Sequence, residues 1–532
     1  MTTAAPISLA EAIARTWDVI VIGTGMGGGT IGRRLAERGL SVLFVERGPI
    51  GVRAEEHDLN PDIWDREARL VRGYWPEPLE ATVNGLSTTF NAPLGAGVGG
   101  SSVFYAAALE RPAPHDLDHS AATPHPTGGW PISYAEMAPY FDAAEAMYHV
   151  CGTDDPLGQP SQIPDGAPMS AADQALFDAM TSAGLHPYKG HLALKDSIRG
   201  ADYLGRKCPH DYKMDGRSAG VEPALATGNA ALIDLCEVTE ILHQRGGVTA
   251  LRLRKSGEEA ELSARGYVLS AGALHSPRVL MASGDLGNQS GMVGRNLMFH
   301  LNEMFLLWPK RGAKSNGASK ALAFRDLYHK SGERFGMVQA MGVEARYGEI
   351  LHYLNMAFER SPLRHLRVVK PFLRMPAALA AKLFGSAKLF VGILEDLPKA
   401  ENHVVFDPKD PRRLAISYTM APELLARRAA FRKALRQGLK GLRMMFVGAG
   451  PELNFGHPCG TLRFGDDPQT SVLDRNCAVH GVPNLWVVDA SFMPTSMGVN
   501  PSLTIAANAL RVGDVIADGF EAEDRSDGRA ES

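Results

Sequence analysis

Apolar and polar positions along the chain alternate between two periods, and the clearest segment comes first. Val19–Ile22 is a short β-branched apolar run, the pattern of a parallel strand buried on both faces. A helical stretch follows from about residue 30, with Ile31 and Leu35 on one face and Gly39 as a natural stop. A second apolar run, Val42–Val45, ends in Glu46. Residues 228–271 carry alternating patterns at 231–235, 238–242, 248–253 and 262–269. Gly246-Gly247 and Ser256-Gly257 punctuate them as hairpin turns. The last of these strands runs into a turn and a short helix at 278–283. Helices are expected at 133–148 and 171–183 within a region rich in Pro, His, Asp and Gly (111–204). Near the C-terminus the apolar strand 485–488 ends in Asp489-Ala490, and Pro501 opens an apolar helix over 502–516.

The glycines between the first strand and helix give this pattern a chemistry. Gly23 allows a tight turn, Gly25 lets the backbone approach a pyrophosphate, and Gly28 lets the helix pack closely on the strand. The helix N-terminus offers unpaired amides and a positive dipole end to phosphates. Glu46 sits where a carboxylate would bind a ribose hydroxyl and repel a 2′-phosphate. Strand, glycines, helix, second strand and acid in this order predict a dinucleotide site, without separating FAD from NAD.

Composition narrows the class. The chain has 532 residues, 45% hydrophobic and 21% charged, with a net charge of −4, so it is globular and shows no nucleic-acid footprint. Five scattered cysteines without a CxxC argue against a disulfide framework and against a bound metal. The N-terminus lacks the pattern of a signal peptide, and no run is long and apolar enough for a transmembrane segment. The expected location is therefore cytoplasmic. The segment 361–394 mixes Arg364, Arg367, Lys370, Arg374, Lys382 and Lys388 with Leu, Val, Phe and Ala. A solvated helical face or a lid is the preferred reading, and an amphipathic surface for lipid access is the alternative.

Further motifs carry a resemblance. They are Gly95-Ala-Gly-Val-Gly99-Gly100-Ser101-Ser102, Gly272-Ala-Leu-His-Ser-Pro277, Gly294-Arg-Asn-Leu-Met298, His457-Pro-Cys-Gly-Thr461 and Val499-Asn500-Pro501. With the nucleotide fingerprint, and over about residues 17–516, the chain resembles the glucose–methanol–choline (GMC) oxidoreductases. Val98 to Ala106 followed by Arg111-Pro112 is similar to the cholesterol-oxidase-like bacterial branch. The resemblance implies an α/β fold: a Rossmann-like FAD-binding domain, discontinuous in sequence, and a second α+β domain of antiparallel sheet plus helices that takes the substrate. The expected FAD parts are 14–110, 205–300 and 452–520. The substrate parts are 111–204 and 301–451, and 521–532 is a flexible tail.

The resemblance also implies FAD and oxidation of an alcohol, with sugars, sterols and aryl alcohols all open as substrate. Oxygen or another acceptor would take the electrons. A flavoprotein subunit serving a protein partner and a non-redox lyase on the same scaffold are the other readings. By matching motif, His457 takes the first catalytic position and Asn500 the second. Hydride loss from a carbinol needs a base for the hydroxyl proton, which His457 suits, while Asn500 orients the oxygen without titrating. The cofactor-binding set comprises Gly23, Gly25, Gly28, Glu46, Gly99, Gly100, Ser101, Ser102, Val238, Asp489, Ala490 and Pro501. Asp489 would touch the ribityl or diphosphate region; as a bare residue it caps a turn. Val238 would contact adenine through its backbone, and the end of the helix after Pro501 would face the flavin. Met497 belongs to the pocket wall or to ordinary packing, and His300 matches a family position near the flavin, with packing as the preferred role. Ala96 departs from the usual Arg, Lys or Asn. Phe104-Tyr105 replace Ile-Asn or a flavin-linked histidine, so FAD is expected to be noncovalent. The stretch 283–287 is one residue longer than the family's common form.

Overall fold

The β-branched runs build a parallel sheet. The computed structural model describes residues 5–51, 65–244, 246–284, 286–315, 319–330, 332–344, 347–359, 361–385, 387–448 and 450–526. Val19–Ile22 lies between Val42–Val45 and Gly266–Leu269, and all three strands are buried along their whole length. Ala230–Ile233 and Val482–Val487 extend the sheet at either side, again parallel, and the short strand Ala478–Val479 closes one edge antiparallel. Burial on both faces is what a continuous apolar run without alternation requires. The helix Met26–Glu37 follows the first strand and turns Ile31 and Leu35 inward. It starts four residues before the expected position, because Gly27, Gly28 and Gly29 are helical despite their low propensity.

A second, antiparallel sheet has the path Met444–Phe446, Met298–Leu307, Lys388–Leu394, Val338–Glu344, Leu322–Phe324, Tyr188–Lys189. Glu452–Cys459 pairs with its second strand. Cys236–Gln244, Gly247–Lys255 and Glu258–Leu262 form the expected meander, which packs beside the parallel sheet. Its second turn has positive φ at both Ser256 and Gly257, the two-residue geometry that matches strand twist. Helices Tyr134–Met147, Ala171–Ser182 and Ser276–Ala282 stand at the expected places.

Two expectations need correction. Strand pairing crosses the expected domain boundaries. Leu79–Val83, inside the first FAD part, pairs with Leu414–Tyr418. Met298–Leu307 straddles residue 300, and Glu452–Cys459, expected to open the last FAD part, is a strand of the antiparallel sheet. A strand joins whichever edge satisfies its hydrogen bonds, and local composition does not record which edge that is. The C-terminal helix runs from Ser502 to Ser526, so 521–526 is not a loose tail. Arg265 holds it through ion pairs with Glu523 and Asp524. Residues 527–532 and Asp285 lie outside the described residues.

Candidate active site

One continuous cavity of about 2070 Å³ reaches from the glycine turn to the far end of the antiparallel sheet. Gly23–Gly27, Glu46, Val238, Gly100–Ser102, Asp489, Ala490, Asn500, Pro501 and His457 all line it. Thus residues hundreds of positions apart in sequence meet around one space.

At the turn, Gly25 caps the helix Met26–Glu37, and a Cβ placed there would meet nothing within 4 Å. Its neighbour Gly28 is the opposite case, since a Cβ would come within 2.0 Å of the Gly23 carbonyl oxygen. Gly28 is therefore demanded by the chain's own packing, whereas Gly25 keeps room beside free helix amides for something that is not protein. That room beside a helix N-terminus fits a diphosphate.

Glu46 is buried, and burial pushes its carboxyl above the usual range. It accepts from the Thr24 amide (3.1 Å), the Thr24 hydroxyl (2.5 Å) and the Gly48 amide (3.0 Å). The carboxylate so locks the turn while facing the cavity. Gly99 and Gly100 have φ of +98° and +56°, the left-handed region that bends the loop back. Ser102 donates to the Gly99 carbonyl and accepts from the Gly216 amide (2.8 Å), and Ser101 accepts from the Gly95 amide. The two hydroxyls thus shape the loop.

Asp489 is fully engaged. One oxygen accepts from the Gly272 amide and the Ser276 hydroxyl, the other from the Ser491 amide and hydroxyl. It caps the short turn Ala490–Phe492 and ties it to the Gly272 loop. The four donors hold down a carboxyl that burial pushes up. Val238 is buried on Cys236–Gln244 and also lines the cavity.

At the other end, His457 stands on Glu452–Cys459, half-buried, its open part facing the cavity. His300, on the paired strand Met298–Leu307, is fully buried. The two Nδ1 atoms are 3.1 Å apart, and His300 Nε2 is 3.0 Å from the Met497 carbonyl. A carbonyl only accepts, so His300 Nε2 carries the hydrogen. Burial lowers His300 to about 4, which leaves it neutral with a bare Nδ1. In the tautomer that pairs the two rings, His457 Nδ1 donates to it, and His457 Nε2 is left bare. This tautomer is assigned from the hydrogen-bond network. Asn454 Nδ2, 3.2 Å from His457 Nδ1, competes for the same atom, while Asn454 Oδ1 accepts from the Gly456 amide. Burial lowers His457 well below the ordinary value, and His300 and Lys320 act in the same direction. The imidazole is therefore a neutral base at pH 7.

Asn500 Oδ1 accepts from Gln339 Nε2 at 2.8 Å. Among the described residues its Nδ2 has no protein partner, so it is a donor aimed at the cavity. Met497 has φ +60°, a rare conformation for a non-glycine residue, and it brings its carbonyl to His300. Lys320, buried and lowered to about 8 by burial, also lines the cavity.

His457 and Asn500, picked out from sequence, thus face one cavity. His300, which the sequence pattern placed in packing, is fully buried and also touches His457 directly. Gln339, Asn454 and Lys320 carried no sequence signal, because each is an isolated polar residue in a strand or loop. Phe104 stacks on Tyr74 with ring centroids 4.2 Å apart, and the Tyr105 hydroxyl donates to the Met214 carbonyl.

Comparison with known proteins gives a consistent picture. Two models described as GMC oxidoreductase match residues 18–302 and 396–509. The chain is 30% identical to paromamine 6′-oxidase of Streptomyces fradiae, over 94% of this chain and 92% of that protein. It is 28% identical to 2-methyl-1,2-propanediol dehydrogenase of Mycolicibacterium austroafricanum, over 94% and 95%. The crystal structure of pyridoxine 4-oxidase from Mesorbium loti superposes with a TM-score of 0.59 at 21% identity, covering 94% of this chain and 99% of that one.

Proposed function

The chain belongs to the GMC oxidoreductases, and from that membership we propose how the residues around the cavity divide the work of oxidising an alcohol. The enzyme is an FAD-dependent oxidoreductase acting on CH–OH groups. Oxidation removes a hydride from the carbinol carbon and a proton from its hydroxyl. FAD, when bound, supplies the two-electron hydride acceptor. The proton falls to the protein.

His457 takes that proton on Nε2. The observation that carries this reading is the Met497–His300–His457 hydrogen-bond chain, which leaves Nε2 bare at the cavity wall. His300 acts through His457 and is a positioning residue. Asn500 Nδ2 donates to the substrate oxygen, and Gln339 fixes the amide so that Nδ2 rather than Oδ1 faces the substrate. With FAD bound, Gly25, the first helix amides and the loop at 99–102 would hold its diphosphate, Glu46 its ribose and Val238 its adenine. Asp489 works at one remove, pinning the Gly272 loop against the turn at Ala490.

Noncovalent attachment follows from Phe104 and Tyr105, since neither side chain offers the imidazole nitrogen that a histidyl link needs; acid precipitation should release the yellow chromophore. The substrate is a small-molecule alcohol. Relatives named for paromamine and for 2-methyl-1,2-propanediol support hydroxyl-bearing small molecules as the first choice.

Anaerobic mixing of the yellow holoenzyme with sugars, diols, sterols and aryl alcohols tests the proposal. Bleaching of the flavin band by one class supports alcohol oxidation, and its return on admitting air assigns oxygen as the acceptor. Bleaching that returns only with an artificial acceptor assigns a dehydrogenase. Chemical turnover with the flavin fully oxidised would overturn the reading in favour of a lyase.

A further inference from the structure

Of the seventeen large apolar side chains that the described residues expose, eight fall between residues 363 and 383. Val368, Phe372, Met375, Leu379 and Leu383 are 78%, 67%, 74%, 60% and 63% exposed. Met375, Leu379 and Leu383 recur at intervals of four along the α-helix Arg374–Phe384, the spacing of one helical face, and Val368 and Phe372 continue the exposed apolar surface on the preceding 3-10 turns Arg367–Leu373. Ala377, half a turn from Met375 and Leu379, is fully buried and marks the packed side of the helix, which rests against Tyr347–Glu359.

The charge on this surface has one sign. Residues 361–394 contain six Lys or Arg and no Asp or Glu, in a chain whose net charge is −4. Lys388 is buried beside Asp173, but Arg367, Lys370, Arg374 and Lys382 are exposed next to the apolar stripe. The strand Lys388–Leu394 packs inward, whereas the large apolar residues of 363–383 are exposed. A solvated helical face does not account for a stripe of Phe, Met and Leu.

We propose that residues 363–383 form a membrane-docking surface that lies in the interface of a bilayer carrying anionic headgroups. The apolar stripe inserts at the headgroup–acyl boundary and the flanking Arg and Lys pair with lipid phosphates, the recognised combination for an interfacial helix. No helix among the described residues is long and apolar enough to cross a membrane, so the contact is with one leaflet. A second copy of the chain is the poorer occupant, because a two-fold contact through this patch would bring the same cations face to face. Arg367, Lys370, Pro376, Ala380 and Phe384 also line the wall of the cavity. Docking thus sets one end of the active-site cavity against the lipid. The surface itself does not depend on the redox reading.

The test is flotation of the FAD-loaded enzyme with vesicles of phosphatidylcholine, or of phosphatidylcholine mixed with phosphatidylglycerol, at low and high salt. The proposal expects binding to the anionic vesicles that weakens with salt and falls by about tenfold or more in Leu379→Glu and in Phe372→Glu. Both positions are exposed, so flavin content and bleaching by a water-soluble alcohol should be unchanged, which shows a folded enzyme independently. Arg374→Glu with Lys382→Glu provides the charge arm. Failure to float with anionic vesicles, or flotation that these variants leave intact, overturns the proposal. A concentration-dependent dimer abolished by Leu379→Glu would assign the face to a second copy.

Discussion

His300→Phe tests the proton path at a residue expected to touch no substrate. The ring is kept, but the bare Nδ1 that accepts from His457 is lost. His457 Nδ1–H then faces an apolar edge at a buried position, while Asn454 Nδ2 stands ready to donate to the other tautomer. A net hydrogen bond is worth about 0.5–1.5 kcal/mol, and a buried unpaired donor costs about 1–3 kcal/mol. Together these disfavour the productive tautomer by roughly 1.5–4.5 kcal/mol, or about 10- to 2000-fold in the population with Nε2 bare. The rate constant for anaerobic flavin bleaching by a reactive alcohol should fall by that factor. FAD content and the thermal midpoint serve as controls. His300→Asn, whose Oδ1 can accept where Nδ1 did, should recover a good part of the loss. Bleaching within threefold of wild type in His300→Phe, or equal losses in the two variants, would refute the reasoning and return His300 to packing.

His457→Ala should retain FAD and lose about 10²–10⁴ in the bleaching rate constant, the usual worth of a positioned base. Wild-type bleaching should stay level as pH falls through the ordinary histidine value of about 6.5, because burial, His300 and Lys320 hold His457 neutral. An acid limb centred near 6.5 would contradict that environment. Stability has a matching sign. His275, His300 and His457 are each depressed in the folded state, so the unfolded chain binds more protons below about 6.5; the stability they contribute above that pH should drain away as pH falls, seen as a dropping thermal midpoint. The glycines make a contrasting pair. Gly25→Ala should fold and lose most of its FAD affinity, read by flavin titration, whereas Gly28→Ala should fail to accumulate as soluble protein.

What the sequence determined by itself is local. Val19–Ile22, the three glycines, Val42–Val45 and Glu46 follow one another within about thirty residues, so turn geometry, helix packing and strand burial are all written in neighbouring positions. The meander at 236–262 was legible for the same reason, since its turns need residues that tolerate positive φ. His457 and Asn500 were legible only through the motifs around them. Tertiary structure decided the rest. His300 and His457 are 157 positions apart, and Gln339 and Asn500 are 161 apart. Their contacts arise from strand register across an antiparallel sheet, which no local pattern specifies. The sheet also brings the Met497 carbonyl and the His300 ring to the histidine pair, and the tautomer assigned to His457 rests on those two neighbours. Likewise a stripe such as 368–383 reads the same whether it packs inward or faces out. Only the docking of Ala377 against the preceding helix settled that its Phe, Met and Leu point away from the protein.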